Sequence, residues 1–439
     1  MKTKKMKLGL VSLGCEKNLV DSEMILGLFD KMDVEIITDL SEADVIIINT
    51  CGFIESAKNE AISTILDCLK YKQENGAKVV ATGCLVQRYL DELKEAIPEV
   101  DLYIPIRDYY HFGDLIMGLM GDTNYQNKCL SFENRIISTP KHLAYLKISE
   151  GCNNCCAYCA IPLIRGTFVS RKEEDIISEF KYLVSTNRKE ICLISQDLTK
   201  YGIDLKNTNL AQLINKLTEV EGDYVIRLLY LYPDEITDEL ISTIKNNDKV
   251  LPYFDIPIQH ASSKVLKWMG RRGDEKFLNS LLDKIKKEIP EAVIRTTVML
   301  GFPHESEKDF EILKRFIKRN KFDHLGAFAY SKEENTKAYY MRPQVPKQVK
   351  EDRLNEIMEM QKWISLDQNK RYLNNTYDCI IESYDEEAGL YYARGYMYAP
   401  DDIDGEIIIK SDEKLEISKK YLCRIVDIDF YDIFGEIVK

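Results

Sequence analysis

The chain has 439 residues, which at ~150 residues per domain suggests about three domains. Hydrophobic residues are 45% and charged residues 30%, ordinary for a soluble globular protein in which each domain buries its own core. The formal net charge of −12 argues against a general nucleic-acid binder, whose phosphate contacts need a basic surface, and leaves room only for a local basic patch.

The N-terminus, MKTKKMKLGLVSLGCEKN, has the basic start of a secretion signal. Its apolar run is short, and Glu16 and Lys17 end it, so a first β-strand is expected instead. No stretch approaches the ~18 apolar residues of a membrane-spanning helix. A cytoplasmic protein with no membrane partner is therefore expected. A reducing cytoplasm makes a disulfide scaffold of the 12 cysteines unlooked-for, and clustered cysteines there are metal ligands or catalytic groups.

Residues 5–122 alternate short apolar runs with helical patterns. KLGLVSLG, DVIIINT and KVVATG read as strands apolar on both faces, and SEMILGLFDKM and AKNEAISTILDCLKY as amphipathic helices. The alternation predicts a parallel-sheet α/β domain. Cys15, Cys51 and Cys84 each end a predicted strand, in VSLGC, IIINTCG and VATGC. Parallel strands bring their C-terminal ends to one edge, where doubly wound folds bind ligands. Gly14, Gly52 and Gly83 beside them permit tight turns. Three thiolates can thus converge on one centre; three buried thiols acting as small hydrophobes is the bland alternative. Cys68, inside a helical pattern, reads as core, and Cys129, Cys192, Cys379 and Cys423 as inert.

Residues 123–142 lose the pattern and read as a linker. Over 143–368 the alternation resumes in a longer register. HLAYLKIS, EICLISQ, YVIRLLYLY, YFDIPIQ, AVIRTTVML and HLGAFAYS are the strands, with helices such as EEDIISEFKYLVST and DEITDELISTIK between them. Six βα units in series predict a partial (β/α) barrel. Its first strand leads into GCNNCCAYC, residues 151–159. Two C-x2-C pairs would suggest zinc, but Cys155 and Cys156 are adjacent, and neighbouring side chains diverge. The other reading is C-x3-C-x2-C, made by Cys152, Cys156 and Cys159, with Cys155 a bystander. Three thiolates on a cubane cluster leave one iron without a protein ligand, at the mouth where barrel active sites lie.

Polar residues gather at the other predicted strand ends: Gln196 and Asp197, Tyr230, Gln259 and His260, Arg295 and Thr297, Tyr330 and Ser331. Together they predict a polar pocket at that mouth. Leu354, Ile357, Gln361 and Ile364, at three- and four-residue steps, predict a long helix over 346–373 that leaves the barrel. Residues 369–439 change character to IIES, YYARGYMY, DGEIIIK and CRIVDIDFYD, a small antiparallel β-module and most simply a barrel. That segment holds 16 acidic and 9 basic residues, a net of −7, against −5 for all the rest.

The C-x3-C-x2-C string after the first barrel strand, with Tyr158 before its third cysteine, resembles the radical S-adenosylmethionine (SAM) superfamily. Three dispersed upstream cysteines and a terminal β-module sharpen this to the methylthiotransferases. SLGCEKNLVDSEMILG, ISEGCNNCCAYCAIPLIRG, SQDLTKYGID, DIPIQHASSKVLKWMGR, APDDIDGEI and YDIFGEI resemble the branch named RimO, over nearly the whole chain. The tRNA-modifying branch named MiaB favours Gln-Met-Asn after the first cysteine, where this chain has Glu16-Lys17-Asn18. His304 and Asn335 stand where the family usually has glycine, and Cys155 where it has a polar or basic residue.

The resemblance implies an N-terminal domain (5–122) with an auxiliary [4Fe–4S] cluster on Cys15, Cys51 and Cys84. It implies a radical SAM core (143–368) with a SAM-binding [4Fe–4S] cluster on Cys152, Cys156 and Cys159, and a TRAM domain (369–439). Tyr158, Gln196, Asp197 and Arg295 are the implied SAM-pocket residues. The implied activity is insertion of a methylthio group at the β-carbon of an aspartate of ribosomal protein S-twelve, with electrons from a flavodoxin- or ferredoxin-like donor. The acidic terminal module suits a basic protein partner better than tRNA, unless it is merely a solvated surface. Two alternatives remain: a tRNA adenosine methylthiotransferase of the MiaB type, and a non-catalytic iron–sulfur or zinc binding protein.

Overall fold

Five hydrophobic runs in the first 105 residues pair side by side as a parallel sheet in the order β2-β1-β3-β4-β5. They are β1 (Met6–Ser12), β2 (Val34–Ile37), β3 (Val45–Thr50), β4 (Lys78–Gly83) and β5 (Leu102–Ile104). The structure, a computed structural model, describes residues 5–30, 32, 34–121, 129–401 and 403–438. Every residue of β3 is buried, because helices cover both of its faces. Ile46 and Ile48 pack with Val79, Ala81 and the apolar stripe Ala61, Ile65 and Leu69 of α2 (Glu55–Asn75). Val45 and Ile47 turn the other way, to Leu8, Val80 and the Ile25, Leu28 and Phe29 stripe of α1 (Glu16–Asp30). Cys68 lies in the first of these cores, as its helical setting predicts.

The strand order reverses direction between β1 and β3, which makes a topological switch point at their C-terminal ends. β1 runs from there outward to β2, while β3 leads to β4 and β5, so the loops after β1 and β3 part and leave a crevice.

Residues 123–128 of the expected linker lie outside the described residues. From 129 to 142 there is one short helical turn, Phe132–Asn134, in otherwise irregular chain. Buried charge anchors this stretch. The Arg135 guanidinium pairs with Glu23 at 2.9 Å and Glu179 at 2.8 Å, and the Ser138 N–H donates to Glu23 at 2.7 Å.

The chain divides into two compact units. The first comprises Met1–Ser138, Tyr145–Asn154 and Cys159–Glu179; the second comprises Thr139–Ala144, Cys155–Tyr158 and Phe180–Lys439. The first strand of the expected barrel, Leu143–Lys147, is shared between them.

In the second unit the strands Glu190–Ile194 and Val225–Leu228 are parallel, as are Tyr253–Gln259, Val293–Leu300 and His324–Ala329. These are the expected strands of a partial barrel. The amphipathic helices between them start where a side chain caps the first turn, at Asn209, Thr237, Asp274 and Ser306. Thr237 explains one boundary: DEITDELISTIK is helical only over Asp238–Lys245, because Thr237 is extended and caps the helix, and Pro233–Glu235 forms a separate turn.

The long helix is Lys347–Asn369, and it does not leave the barrel. Its buried residues are Arg353, Ile357, Gln361, Ser365 and Asn369, a strict four-residue row that includes only two of the four positions the spacing singled out. Gln361 and Ser365 donate to the carbonyls of Phe322 and Asp323, just before the strand His324–Ala329. Beside the apolar Ile357, polar side chains that bond backbone bind this helix to the barrel, and Ser365 is one that a hydrophobic pattern does not report.

The last five strands, Thr376–Asp385, Leu390–Arg394, Ile407–Ile409, Lys420–Ile428 and Ile433–Ile437, form a closed barrel in the same unit. Buried ions tie it in. Glu190 accepts from Arg227 at 2.6 Å and from Arg394 at 2.5 Å, and against the cost of burial these two cations hold its carboxyl down to about 2. Asp404 accepts from the Tyr253 hydroxyl and from Arg295 Nε. Among the described residues no helix is long and apolar enough to cross a membrane.

Candidate functional site

Cys15, Cys51 and Cys84 stand at the C-terminal edge of the first unit's sheet, around the switch point. Cys15 caps α1, its carbonyl accepting from the N–H groups of Asn18 and Leu19. Cys51 follows β3 directly, and Cys84 opens the short helix Cys84–Arg88. The three turns approach so closely that three positions admit only glycine, Gly52 among them, where a Cβ would lie 2.7 Å from Leu85 Cα. A Cβ on Gly14, at φ +88°, would lie 2.7 Å from Cys51 Cβ and 2.9 Å from its Sγ. One on Gly83, at φ +94°, would lie 2.4 Å from Asn49 Oδ1 and 2.5 Å from the Thr50 carbonyl.

Asn18 stitches the turns together. Its Nδ2 donates to the carbonyls of Leu13 at 2.6 Å and Asn49 at 3.2 Å, while Asn49 Nδ2 donates back to Asn18 at 2.9 Å. Asn18, Asp21 and Ser22 lie three and four apart on α1, so one helix face carries all three toward the strand ends. The thiols sense one another electrically. Burial pushes the Cys84 thiol up to about 11, Arg165 opposes the rise, and Cys15 and Cys51 add to it. Burial also raises Cys51, where the backbone of Phe53 and Gly52 holds it back.

Of the C-x3-C-x2-C residues, Cys152 and Cys159 belong to the first unit. Each sulfur accepts from the backbone N–H two residues on: Asn154 to Cys152 at 3.4 Å, and Ile161 to Cys159 at 3.4 Å. Cys156 and Tyr158 belong to the second unit and share two partners there. Arg271 Nη1 reaches Cys156 Sγ at 3.9 Å and the Tyr158 hydroxyl at 3.4 Å, and its guanidinium lies 4.0 Å from the centre of the Tyr232 ring. The Tyr232 hydroxyl is 3.6 Å from Cys156 Sγ. Arg271 and Tyr232 escape sequence reasoning; the only trace of Arg271 is its place in the string WMGR. Exposed Cys155 turns its carbonyl toward Gly270.

Gln196 and Asp197 follow the strand Glu190–Ile194. Asp197 is buried and accepts from the Thr199 hydroxyl at 2.6 Å, and Thr199 Oγ1 in turn accepts from the Tyr232 N–H at 3.2 Å. A polar chain therefore runs from Asp197 to the tyrosine beside Cys156. Arg295 is the third residue of its strand and alternates with Thr297 and Met299 on the less buried face. Its guanidinium is held by Asp255 and Asp404, both at 3.0 Å. Five non-glycine residues have left-handed backbone in the loops or ends after barrel strands: Asn207, Tyr230, Gln259, His304 and Asn335. Conformations of this cost concentrate where surrounding structure holds a functional geometry. They also show why His304 and Asn335 are positions suited to glycine.

The donor chemistry fits iron–sulfur ligation. Three thiols on separate turns, each admitted by a tight approach, can reach three different irons of a cubane, and ligation removes the proton that burial otherwise retains. The amide groups aimed at Cys51, Cys152 and Cys159 supply hydrogen bonds that thiolates accept. Among the described residues no three His, Cys, Asp or Glu side chains gather closely enough to hold a single metal ion.

Residues 7–105 match the uncharacterized protein family UPF0004, residues 146–317 the radical SAM superfamily, and residues 375–438 the TRAM domain. The ribosomal protein uS12 methylthiotransferase RimO of Acetivibrio thermocellus is 47% identical to this chain, with 99% of each covered. The proteins of that name from Alkaliphilus oremlandii and Clostridium novyi are each 45% identical, covering 98% of this chain and 99% and 97% of theirs. Among solved structures, the radical S-adenosylmethionine methyltransferase TsrM of Kitasatospora setae is similar at a TM-score of 0.59 and 11% identity, over 76% of this chain and 77% of that one. The cobalamin-dependent S-adenosylmethionine radical enzyme OxsB is similar at 0.54 and 13%, over 82% of this chain and 56% of that one. At such identities the two structures speak for the fold alone.

Proposed function

This chain belongs to the RimO family of radical SAM methylthiotransferases, and on that footing we propose that it adds a methylthio group to the β-carbon of an aspartate of ribosomal protein uS12. The observation that carries this reading is identity of 47% along 99% of the chain with a protein of that name. Membership of the superfamily implies SAM and one [4Fe–4S] cluster. In this reading residues 143–368 are the core, and Cys152, Cys156 and Cys159 hold that cluster. Residues 5–122 carry a second cluster on Cys15, Cys51 and Cys84, and residues 369–439 are the TRAM domain. Bound on these cysteines, the clusters would supply low-potential electrons for SAM and a sulfur for transfer, chemistry that acid–base side chains cannot supply.

The chain's own residues bind and orient. Arg271 and Tyr232 hold Cys156 and Tyr158 in place through the contacts described above. Tyr158, Gln196, Asp197 and Arg295 face SAM, with the charge of Arg295 offset by Asp255 and Asp404. The acidic terminal module steers a basic ribosomal protein, free or within the small subunit. A flavodoxin- or ferredoxin-like donor supplies electrons, and the setting is cytoplasmic.

Mass spectrometry of uS12 and of tRNA from a deletion strain tests the target. Loss of the methylthio mark from uS12, with tRNA intact, is expected. Loss of a tRNA mark with uS12 unchanged would overturn the reading in favour of the MiaB type. Iron and sulfide analysis of anaerobically reconstituted protein tests the clusters: about eight irons per chain are expected, and zinc alone would leave only a binding protein.

A further inference from the structure

The segment after the third cysteine of C-x3-C-x2-C lies in the first unit, and it carries an arginine to the other cysteine group. The helical turn Ile161–Arg165 packs Ala160 and Ile164 against Cys84 in a small buried cluster. Arg165, its last residue, then donates from Nη2 to Cys84 Sγ at 3.4 Å and to Asn18 Oδ1 at 3.1 Å. Its Nη1 is paired with Asp21. Asp21 also accepts from Lys147 at 2.5 Å, and Lys147 reaches Glu150 at 2.7 Å. Arg165, Asp21, Lys147 and Asn18 are all buried.

Two cations and two carboxylates balance in this network, so it has no net charge of its own to impose. What the sulfur feels is set by distance. The guanidinium touches it, while Asp21 stands behind the guanidinium and Lys147 behind Asp21. Four partners fix the fork of Arg165, Glu150 being the fourth at 3.6 Å, and one of them, Asn18, also fixes the turn that leads to Cys15. Such over-determination is more than a buried ion pair needs for stability, since buried pairs contribute little net.

We propose that Arg165 is a positioning residue for the upstream cluster: it holds the Cys84 sulfur and, by hydrogen bond and charge, sets that cluster's reduction potential, with Asp21 tempering it. The inference rests on the reading that Cys15, Cys51 and Cys84 hold a cluster. A donor and a positive charge beside a ligating sulfur stabilise the reduced, more negative cluster and raise its potential. Arg165→Gln therefore moves the midpoint to more negative values. Asp21→Asn, which removes the anion that tempers Arg165, moves it to more positive values. Arg165→Lys keeps the charge but loses the fork, and restores part of the shift.

The experiment uses the full chain with Cys152, Cys156 and Cys159 replaced by alanine, so that only the upstream cysteines can ligate a cluster. It is reconstituted anaerobically, assayed for iron and sulfide, and titrated with dithionite under electron paramagnetic resonance. Absence of iron in this background sinks the second cluster itself, and with it this inference. Iron bound, with opposite midpoint shifts for Arg165→Gln and Asp21→Asn, supports it. Iron bound, with both variants at the parent midpoint, overturns the role of Arg165 while leaving the cluster standing. If Arg165→Gln fails to fold, the positive shift of Asp21→Asn decides alone.

Discussion

Replacing Gly14 by alanine puts a methyl group on Cys51, and the size of the effect can be worked from geometry. Two costs add. At φ +88° a side chain is strained whatever the space, by ~1–2 kcal/mol. The new Cβ also lies 2.7 Å from Cys51 Cβ and 2.9 Å from Sγ. Carbon atoms pack at ~3.5–4.0 Å, so the Cys51 turn must retreat by roughly 1 Å. Forcing a packed site apart in this way costs ~1–3 kcal/mol. Gly76 is the internal control. It ends α2 at φ +79° with nothing within 4 Å of a new Cβ, so Gly76→Ala carries the backbone cost alone. Urea unfolding of the two apoproteins should place Gly14→Ala ~1–3 kcal/mol below Gly76→Ala. After anaerobic reconstitution Gly76→Ala should bind the full complement of iron. If Cys51 ligates the proposed upstream cluster, Gly14→Ala should lose about half, because that ligand is displaced. Full iron in Gly14→Ala, with stability equal to Gly76→Ala, would refute the claim that these turns converge on one centre.

Burial pushes the His260 imidazole down to about 3 from its ordinary 6.5, and its Nδ1 accepts from the Ser262 N–H as a neutral ring must. Such a group binds fewer protons folded than unfolded, so its contribution is whole above pH 6.5 and drains away as the pH falls toward 3. Burial pushes the neighbouring Glu305 carboxyl up to about 7, which acts oppositely, its contribution being lost as the pH rises from 4.5 toward 7. His260→Gln isolates the first effect: between pH 7 and pH 5 it should lose ~2 kcal/mol less than the parent in urea unfolding, and parallel losses would contradict this. Glu190→Gln leaves the Arg227 and Arg394 cations buried without their shared carboxylate, and should destabilise by ~3–5 kcal/mol; a loss below ~1 kcal/mol would show that water or another group compensates. His304 combines left-handed backbone at φ +69° with a ring contact to Trp268 at 4.5 Å between centroids. His304→Gly relieves one and loses the other, ~1 kcal/mol each, and should be near neutral, whereas His304→Ala keeps the strain and should lose ~0.5–1.5 kcal/mol. Equal stability of the two variants would deny the backbone term.

Local order alone accounted for a good part of this protein. The run VIII within DVIIINT is apolar at four successive positions because both its faces are covered, and that is visible in the letters alone. A cysteine after each of three such runs must reach the same sheet edge, since parallel strands share a direction. The C-x3-C-x2-C spacing is likewise local, and so are the strings shared with the RimO branch. Tertiary structure decided the partners. Arg165 reaches Cys84 across 81 residues of chain, Arg271 reaches Cys156 across 115, and Arg295 finds Asp404 across 109. The helix Lys347–Asn369 is bonded to the barrel backbone by Gln361 and by Ser365, and Ser365 falls outside the period that predicted the helix. The physical reason is one of range. Burial imprints a period on neighbouring residues, so strands, helices and the strand ends can be read in order. A buried charge needs a partner but imposes no spacing on it, so which guanidinium meets which thiol or carboxylate is settled only when the elements pack.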